Sequence, residues 1–139
     1  MATYNSGDLA KSVRSSALAN GQVYSGTLTP SANVATGDVL RFCVIPAGTN
    51  VHRITVVNAS LGTTVPGDLE FAPVDGSTKT TFSSSAFAFG TANANGSSVV
   101  KAPVLLAKDC WLQVTLGTVS SGSTGAVTLI AEGEGIGAA

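Results

Sequence analysis

The chain has 139 residues, 44% of them hydrophobic and only 11% charged, with a net charge of −1. That length reads as one domain, able to bury about two-thirds of the surface its unfolded form exposes, and an apolar-rich, nearly neutral composition excludes a disordered chain. The seven Lys and Arg are scattered, which excludes a basic footprint for nucleic acid, and no apolar run approaches the ~18 residues of a membrane helix.

The opening segment, MATYNSGDLAKSVRSS, has no apolar core of about 7–15 residues, so no signal peptide is expected and synthesis in a cytoplasm is the default. Leu9 and Val13 fall at helical spacing, with Ala17 next in register. Ser12, Ser15 and Ser16 compete for the backbone there, and an extended arm fits as well. Residues 23–28 form a β-prone run ended by Pro30.

In Val39–Ile45 both alternating sets are apolar: Leu40, Phe42 and Val44 on one side, Val39, Cys43 and Ile45 on the other, with Arg41 the exception. A strand apolar on both faces is expected to be covered on both, by an opposing sheet or a neighbouring subunit. Pro46 suits a type I turn, with Gly48 two residues later, and the β-branched run 51–57 follows. This is a hairpin, or a corner where the chain passes between sheets.

Residues 67–71 read as a short strand stopped by Pro73 and the Asp75-Gly76 turn. The stretch 77–98 is low in complexity and reads as a loop, but it carries Phe82, Phe87 and Phe89, which are expected to pack on the domain or on a partner. Strands are expected at 99–106, Cys110–Leu116 and 126–131, with Leu112, Val114 and Leu116 on one face and Trp111, Gln113 and Thr115 on the other. The glycine content of residues 132–139 is that of a flexible end. Gly-Asp recurs at positions 7, 37 and 67 without a matching repeat, marking three entries into structure. Seven or eight short strands at intervals of about 8–12 residues are the pattern of an all-β sandwich or barrel. The domain plan is an N-terminal arm over 1–30 with a first strand, a β-sandwich over 31–132 and a Gly-rich tail over 133–139.

No constellation for catalysis emerges. His52 is the only imidazole; strand alternation places it with Ile54 and Val56, opposite Arg53, as a structural residue. The Gly-x-Ser-x-Gly elbow and the glycine-rich phosphate loops are absent. Asp68 and Glu70 share one strand face, yet no oxygen-rich calcium loop follows. Cys43 and Cys110 form no metal-ligand motif; they read as buried thiols, with a bridge left open if their strands are neighbours. No catalytic, cofactor-binding or metal-binding residue is therefore assigned, and no enzyme activity is expected. Trp111 offers a sugar-stacking platform, but a lone tryptophan is more often core or interface.

The form Gly37-Asp-Val-Leu-Arg-Phe-Cys-Val-Ile-Pro-Ala-Gly48, the β-run 51–57, the Gly67-Asp-Leu strand, the Asp75-Gly76 turn and the late hairpin 111–131 together resemble the capsid decoration (cement) proteins of tailed bacteriophages. The resemblance implies a single-domain β-sandwich of jelly-roll type with an extended N-terminal arm. It implies a protein of the virion, made in the host cytoplasm, that binds the outside of an assembled shell and bridges capsomers without a cofactor. Its partners would be the major capsid protein and further copies of itself, as a dimer or trimer, with no direct nucleic acid and no membrane. The family carries no catalytic residues to transfer. The contacts assigned from this chain's own residues are Tyr4, Leu9, Val13 and Arg14 on the arm, and Phe82, Phe87 and Phe89 on the phenylalanine-bearing stretch. The competing reading is a tail or fibre component acting as a receptor- or glycan-binding sandwich.

Overall fold

Runs of Val, Ile, Thr and aromatic residues broken by Gly, Pro and Asp favour short pleated strands over helices. The computed structural model describes residues 2–6 and 21–135, and the described residues hold no helix. The strands are β1 (Thr3–Asn5), β2 (Gly21–Leu28), β3 (Val39–Ile45), β4 (Thr49–Asn58), β5 (Gly62–Thr63), β6 (Pro66–Pro73), β7 (Thr80–Ala88), β8 (Asn93–Leu105), β9 (Cys110–Leu116), β10 (Ser121–Gly122) and β11 (Val127–Gly135).

They form a five-stranded sheet in the order β1-β3-β9-β6-β7 and a four-stranded sheet in the order β2-β11-β4-β8, with β5 and β10 as a small separate pair. Four antiparallel pairings are nested: β6 with β7, then β4 with β8, then β3 with β9, then β2 with β11. A long β-ribbon folded at the β6–β7 hairpin and rolled so that successive pairs alternate between sheets is a jelly roll. The expected fold class is what the chain adopts. Residues 7–20, which hold most of the expected arm, lie outside the described residues; β1 beside them pairs in parallel with β3.

The core fills the space between the sheets, with Phe42, Ile45, Ile54, Leu69, Phe71, Leu112 and Leu129 all at or below 1% exposure. The Pro46–Gly48 segment is a corner between sheets, since β3 and β4 belong to different ones. A second corner, from β8 to β9, runs beside it. The Gly48 amide donates to the Leu106 carbonyl (2.8 Å), the Leu106 amide to the Thr49 carbonyl (2.9 Å), and the Ala47 amide to Asp109 Oδ1 (2.8 Å).

Four local expectations are corrected. In β3, Arg41 pairs with Gln113 but Cys43 pairs with Leu112, so Phe42 is an extra residue, a β-bulge. The inward set therefore switches from Leu40 and Phe42 to Cys43 and Ile45, and Val39 and Val44 are left half-buried on the outer face. The bulge, rather than cover on both faces, accounts for the doubly apolar strand. In β4, Arg53 pairs with Glu132 and Val51 with Gly133, so His52 is likewise extra. It points away from Ile54 and Val56, not with them, and both His52 and Arg53 face outward.

The stretch expected as a loop over 77–98 holds β7 and the start of β8. Its serines and threonines suit an edge strand, while Phe82 and Phe89 turn inward. Glu132–Gly135, expected in a flexible end, close β11 between β2 and β4. Gly133 is there for want of a side chain: a Cβ would collide with the Asn50 carbonyl oxygen beside the His52 bulge.

Candidate interaction surfaces

The phenylalanines expected at a partner contact divide. Phe82 is 2% and Phe89 0% exposed, and Phe82 meets Phe71 edge to face with ring centroids 5.7 Å apart. Both belong to the core: Phe82 turns inward from β7, and Phe89, one residue past its end, is fixed by hydrogen bonds from its amide to the Val65 carbonyl and from the Leu61 amide to its carbonyl, both 2.8 Å. Phe87 stands in β7 opposite Gly67, and its side chain is not among those described. Tyr4 lies half-buried against the core edge in β1. Leu9, Val13 and Arg14 lie outside the described residues.

β1 is held by backbone and by one buried carboxylate. Asp38, 3% exposed, accepts from the Ala2 amide through Oδ1 and from the Ala35 amide through Oδ2, both at 2.9 Å. The Val39 amide donates to the Ala2 carbonyl, and the Ser6 amide to the Arg41 carbonyl, both at 2.9 Å.

The most organised polar cluster is on the outer face of the five-stranded sheet, where register places Arg41, Gln113 and Glu70 side by side across β3, β9 and β6. Glu70 Oε1 accepts from Thr115 Oγ1 at 2.6 Å and from Gln113 Nε2 at 3.1 Å, while Oε2 meets Lys79 Nζ at 2.9 Å. Burial pushes the Glu70 carboxyl upward, but the hydrogen bonds from Thr115, Gln113 and Lys79 and the Lys79 charge outweigh it, and the pKa lies below its ordinary value. Arg41 Nε donates to Gln113 Oε1 at 3.4 Å, and its guanidinium carbon lies 3.8 Å from the centre of the Trp111 ring. One face of the only tryptophan is thereby occupied by a cation, not offered to a sugar.

The sequence singled out Arg41 as an exception and Asp68 with Glu70 as a same-face pair. It did not show that Gln113, Thr115 and Lys79 converge on Glu70, because that depends on strand order. The signal available was an outward Gln-x-Thr in one apolar strand and an outward Asp-x-Glu in another.

Other charged groups sit on corners. Asp75 accepts from the Ser77 hydroxyl and amide and pairs with Lys108 Nζ at 2.9 Å, and these contacts hold its carboxyl well below the usual range. His52 sits with Asn50, Lys101, Pro103 and Glu134 around an open hollow of about 360 Å³. No group of three His, Cys, Asp or Glu among the described residues is arranged to hold a metal ion.

Cys43 and Cys110 lie on the paired strands β3 and β9, buried and without a disulfide. Cys110 Sγ donates to the Lys108 carbonyl at 3.2 Å. Burial, followed by the charges of Asp109 and Asp75, raises its pKa to about 11.

No protein-family model matches the sequence, and no curated protein matches it. Solved structures do match the fold. A chain of the cyanophage Pam1 capsid asymmetric unit superposes with a TM-score of 0.65 at 17% identity, over 88% of this chain and 91% of that one. A chain of the Ralstonia phage GP4 capsid superposes with a TM-score of 0.61 at 13% identity, over 95% of this chain and 97% of that one. At such identities the likeness is one of fold.

Proposed function

We propose that this chain is a structural protein of a phage virion that binds the outer surface of the assembled capsid and stabilises it by bridging capsomers. The observation that carries the reading is the reciprocal match to two capsid chains, 91% and 97% of whose own lengths are covered. The likeness therefore extends over the whole of a short chain, not over one sandwich domain within a longer polypeptide. The decoration-protein resemblance in the Gly37–Gly48 corner and the strands after it points the same way.

The physical role needs no catalytic group. A rigid sandwich presented in many symmetric copies turns a modest contact per copy into a lasting one through multivalency. A shell under internal pressure gains from each contact that must break before capsomers separate. The partner in this reading is the major capsid protein, and the arm, including Leu9, Val13 and Arg14, stays among the proposed contacts. Phe82 and Phe89 do not, because they are consumed by the core. The glycan-binding alternative is weakened by the guanidinium lying over Trp111.

The test is the copy number of this chain in purified virions, measured by quantitative mass spectrometry against the major capsid protein. Hundreds of copies in a simple ratio to the capsid protein support decoration. A handful of copies moves the chain to the tail or fibre, and absence from the particle removes the virion role.

A further inference from the structure

The cations of the sandwich differ in what they face. Arg53, Lys79 and Lys108 each stand beside a carboxylate, that of Glu132, Glu70 and Asp75 respectively. Among the described residues no carboxylate lies at ion-pair distance from Arg41 or Lys101. Lys101 is exposed on an edge strand, where water serves it. Arg41 is half-buried inside the five-stranded sheet, on β3 between β1 and β9.

The Arg41 side chain is fixed from two sides. Its guanidinium carbon lies 3.8 Å from the centre of the Trp111 ring, and its Nε donates to Gln113 Oε1. Gln113 is turned this way round because its Nε2 is committed to Glu70 Oε1, and an ionised carboxylate only accepts. Nη1 and Nη2 are left without a partner among the described residues, and their spacing matches the two oxygens of a carboxylate. In the next row Val44, Trp111 and Ala72 lie side by side across β3, β9 and β6, all half-buried on the outer face. Asn5 of β1 stands opposite Arg41, so the patch adjoins the strand that leads into the proposed arm.

We infer that Arg41, stacked on Trp111, is the anchor through which this face takes an acidic side chain of the protein on which the chain docks, with an apolar neighbour of that residue lying on Val44 and Ala72. The inference rests on the capsid-binding reading and names the chemistry of the contact. Trp and Arg are the residue types that most often carry the energy of an interface. A guanidinium already held by stacking and by Gln113 loses little further freedom on binding. Charge selects the kind of partner. The other described cation of this face, Lys79, is committed to Glu70, so the patch offers one positive site. That is too little for a run of phosphates and enough for a single carboxylate.

The test is rebinding of the purified full-length chain to capsids stripped of it, with bound copies counted by mass spectrometry over a range of chain concentrations. Arg41→Gln should raise the concentration for half-occupancy roughly tenfold or more. Arg41→Lys should raise it nearly as far, because an ammonium keeps the charge without the fork or the stack. Arg53→Gln, on the opposite sheet, should leave occupancy unchanged. Wild type that fails to bind overturns the capsid reading and this inference with it. Wild type that binds no better than Arg41→Gln overturns this inference and leaves the capsid reading standing. A second measurement reads the carboxylate itself. With the Arg41→Lys chain bound at saturation, a water-soluble carbodiimide activates the facing carboxyl. The amine at position 41 should then displace the urea and form an amide with an Asp or Glu of the capsid protein. Cross-links confined to the other lysines overturn the carboxylate assignment.

Discussion

Lys79 Nζ lies 2.9 Å from Glu70 Oε2, yet the lysine side chain is 48% exposed and the glutamate side chain 4%. One partner can return to water and the other cannot. The stabilising weight of the cluster therefore rests on Glu70 and the two hydrogen bonds its Oε1 accepts.

Replacing Glu70 with Ala should cost about 1–3 kcal/mol, because Gln113 Nε2 and the Thr115 hydroxyl lose a buried acceptor. Replacing Lys79 with Ala should cost less than that, because Glu70 keeps both hydrogen bonds to its Oε1 and the lysine side chain is already 48% exposed. Urea midpoints compare the two directly, and a larger loss from Lys79→Ala than from Glu70→Ala contradicts this account.

The pH dependence follows from the lowered Glu70 pKa. In the unfolded chain the group titrates near its ordinary 4.5, and in the folded chain lower. Between those values the unfolded state binds more protons, so acid favours unfolding. The contribution is complete above pH 4.5 and is lost as pH falls through the folded value. Thermal midpoints should therefore decline more steeply below pH 4.5 in the wild type than in Glu70→Gln, and parallel curves would assign the acid sensitivity elsewhere.

Gly133→Ala should destabilise the sandwich by about 1–3 kcal/mol, since the added methyl meets backbone that cannot swing aside. A substitution at 133 with no measurable effect on the denaturation midpoint would mean that the β4 bulge can relax.

Trp111 is the only tryptophan, so its fluorescence reports on one place. Arg41→Ala should raise acrylamide quenching of that emission and cost about 0.5–1 kcal/mol, the usual size of a cation–π contact at a partly exposed site. Unchanged quenching would show that something other than the guanidinium shields the ring.

With its pKa near 11, Cys110 holds only about one thiolate in a thousand at pH 8. Neither Cys43 nor Cys110 should react with a thiol reagent in the folded protein, and both should react after denaturation. Rapid modification of the folded chain at pH 8 would contradict the burial of the β3–β9 pair.

Much of this chain was legible from its residues alone. β3 and β9 begin and end where local alternation places them, at Val39–Ile45 and Cys110–Leu116, and the turn-rich spacing is that of a sandwich. Such features depend on nearest neighbours in the chain: β-branched side chains favour the pleat, and Pro and Gly interrupt it. Tertiary structure decided what depends on a partner strand. A bulge exists only relative to the strand opposite, so no reading of 37–57 in isolation could turn Cys43 inward or His52 outward. Read along the chain, Gly133 is one of several glycines near the end; in the sheet it is a required gap, because Asn50 lies against it. Glu70 became the centre of a cluster only because β6 and β9 are neighbours, a pairing set by how the ribbon rolls and not by any single segment along it.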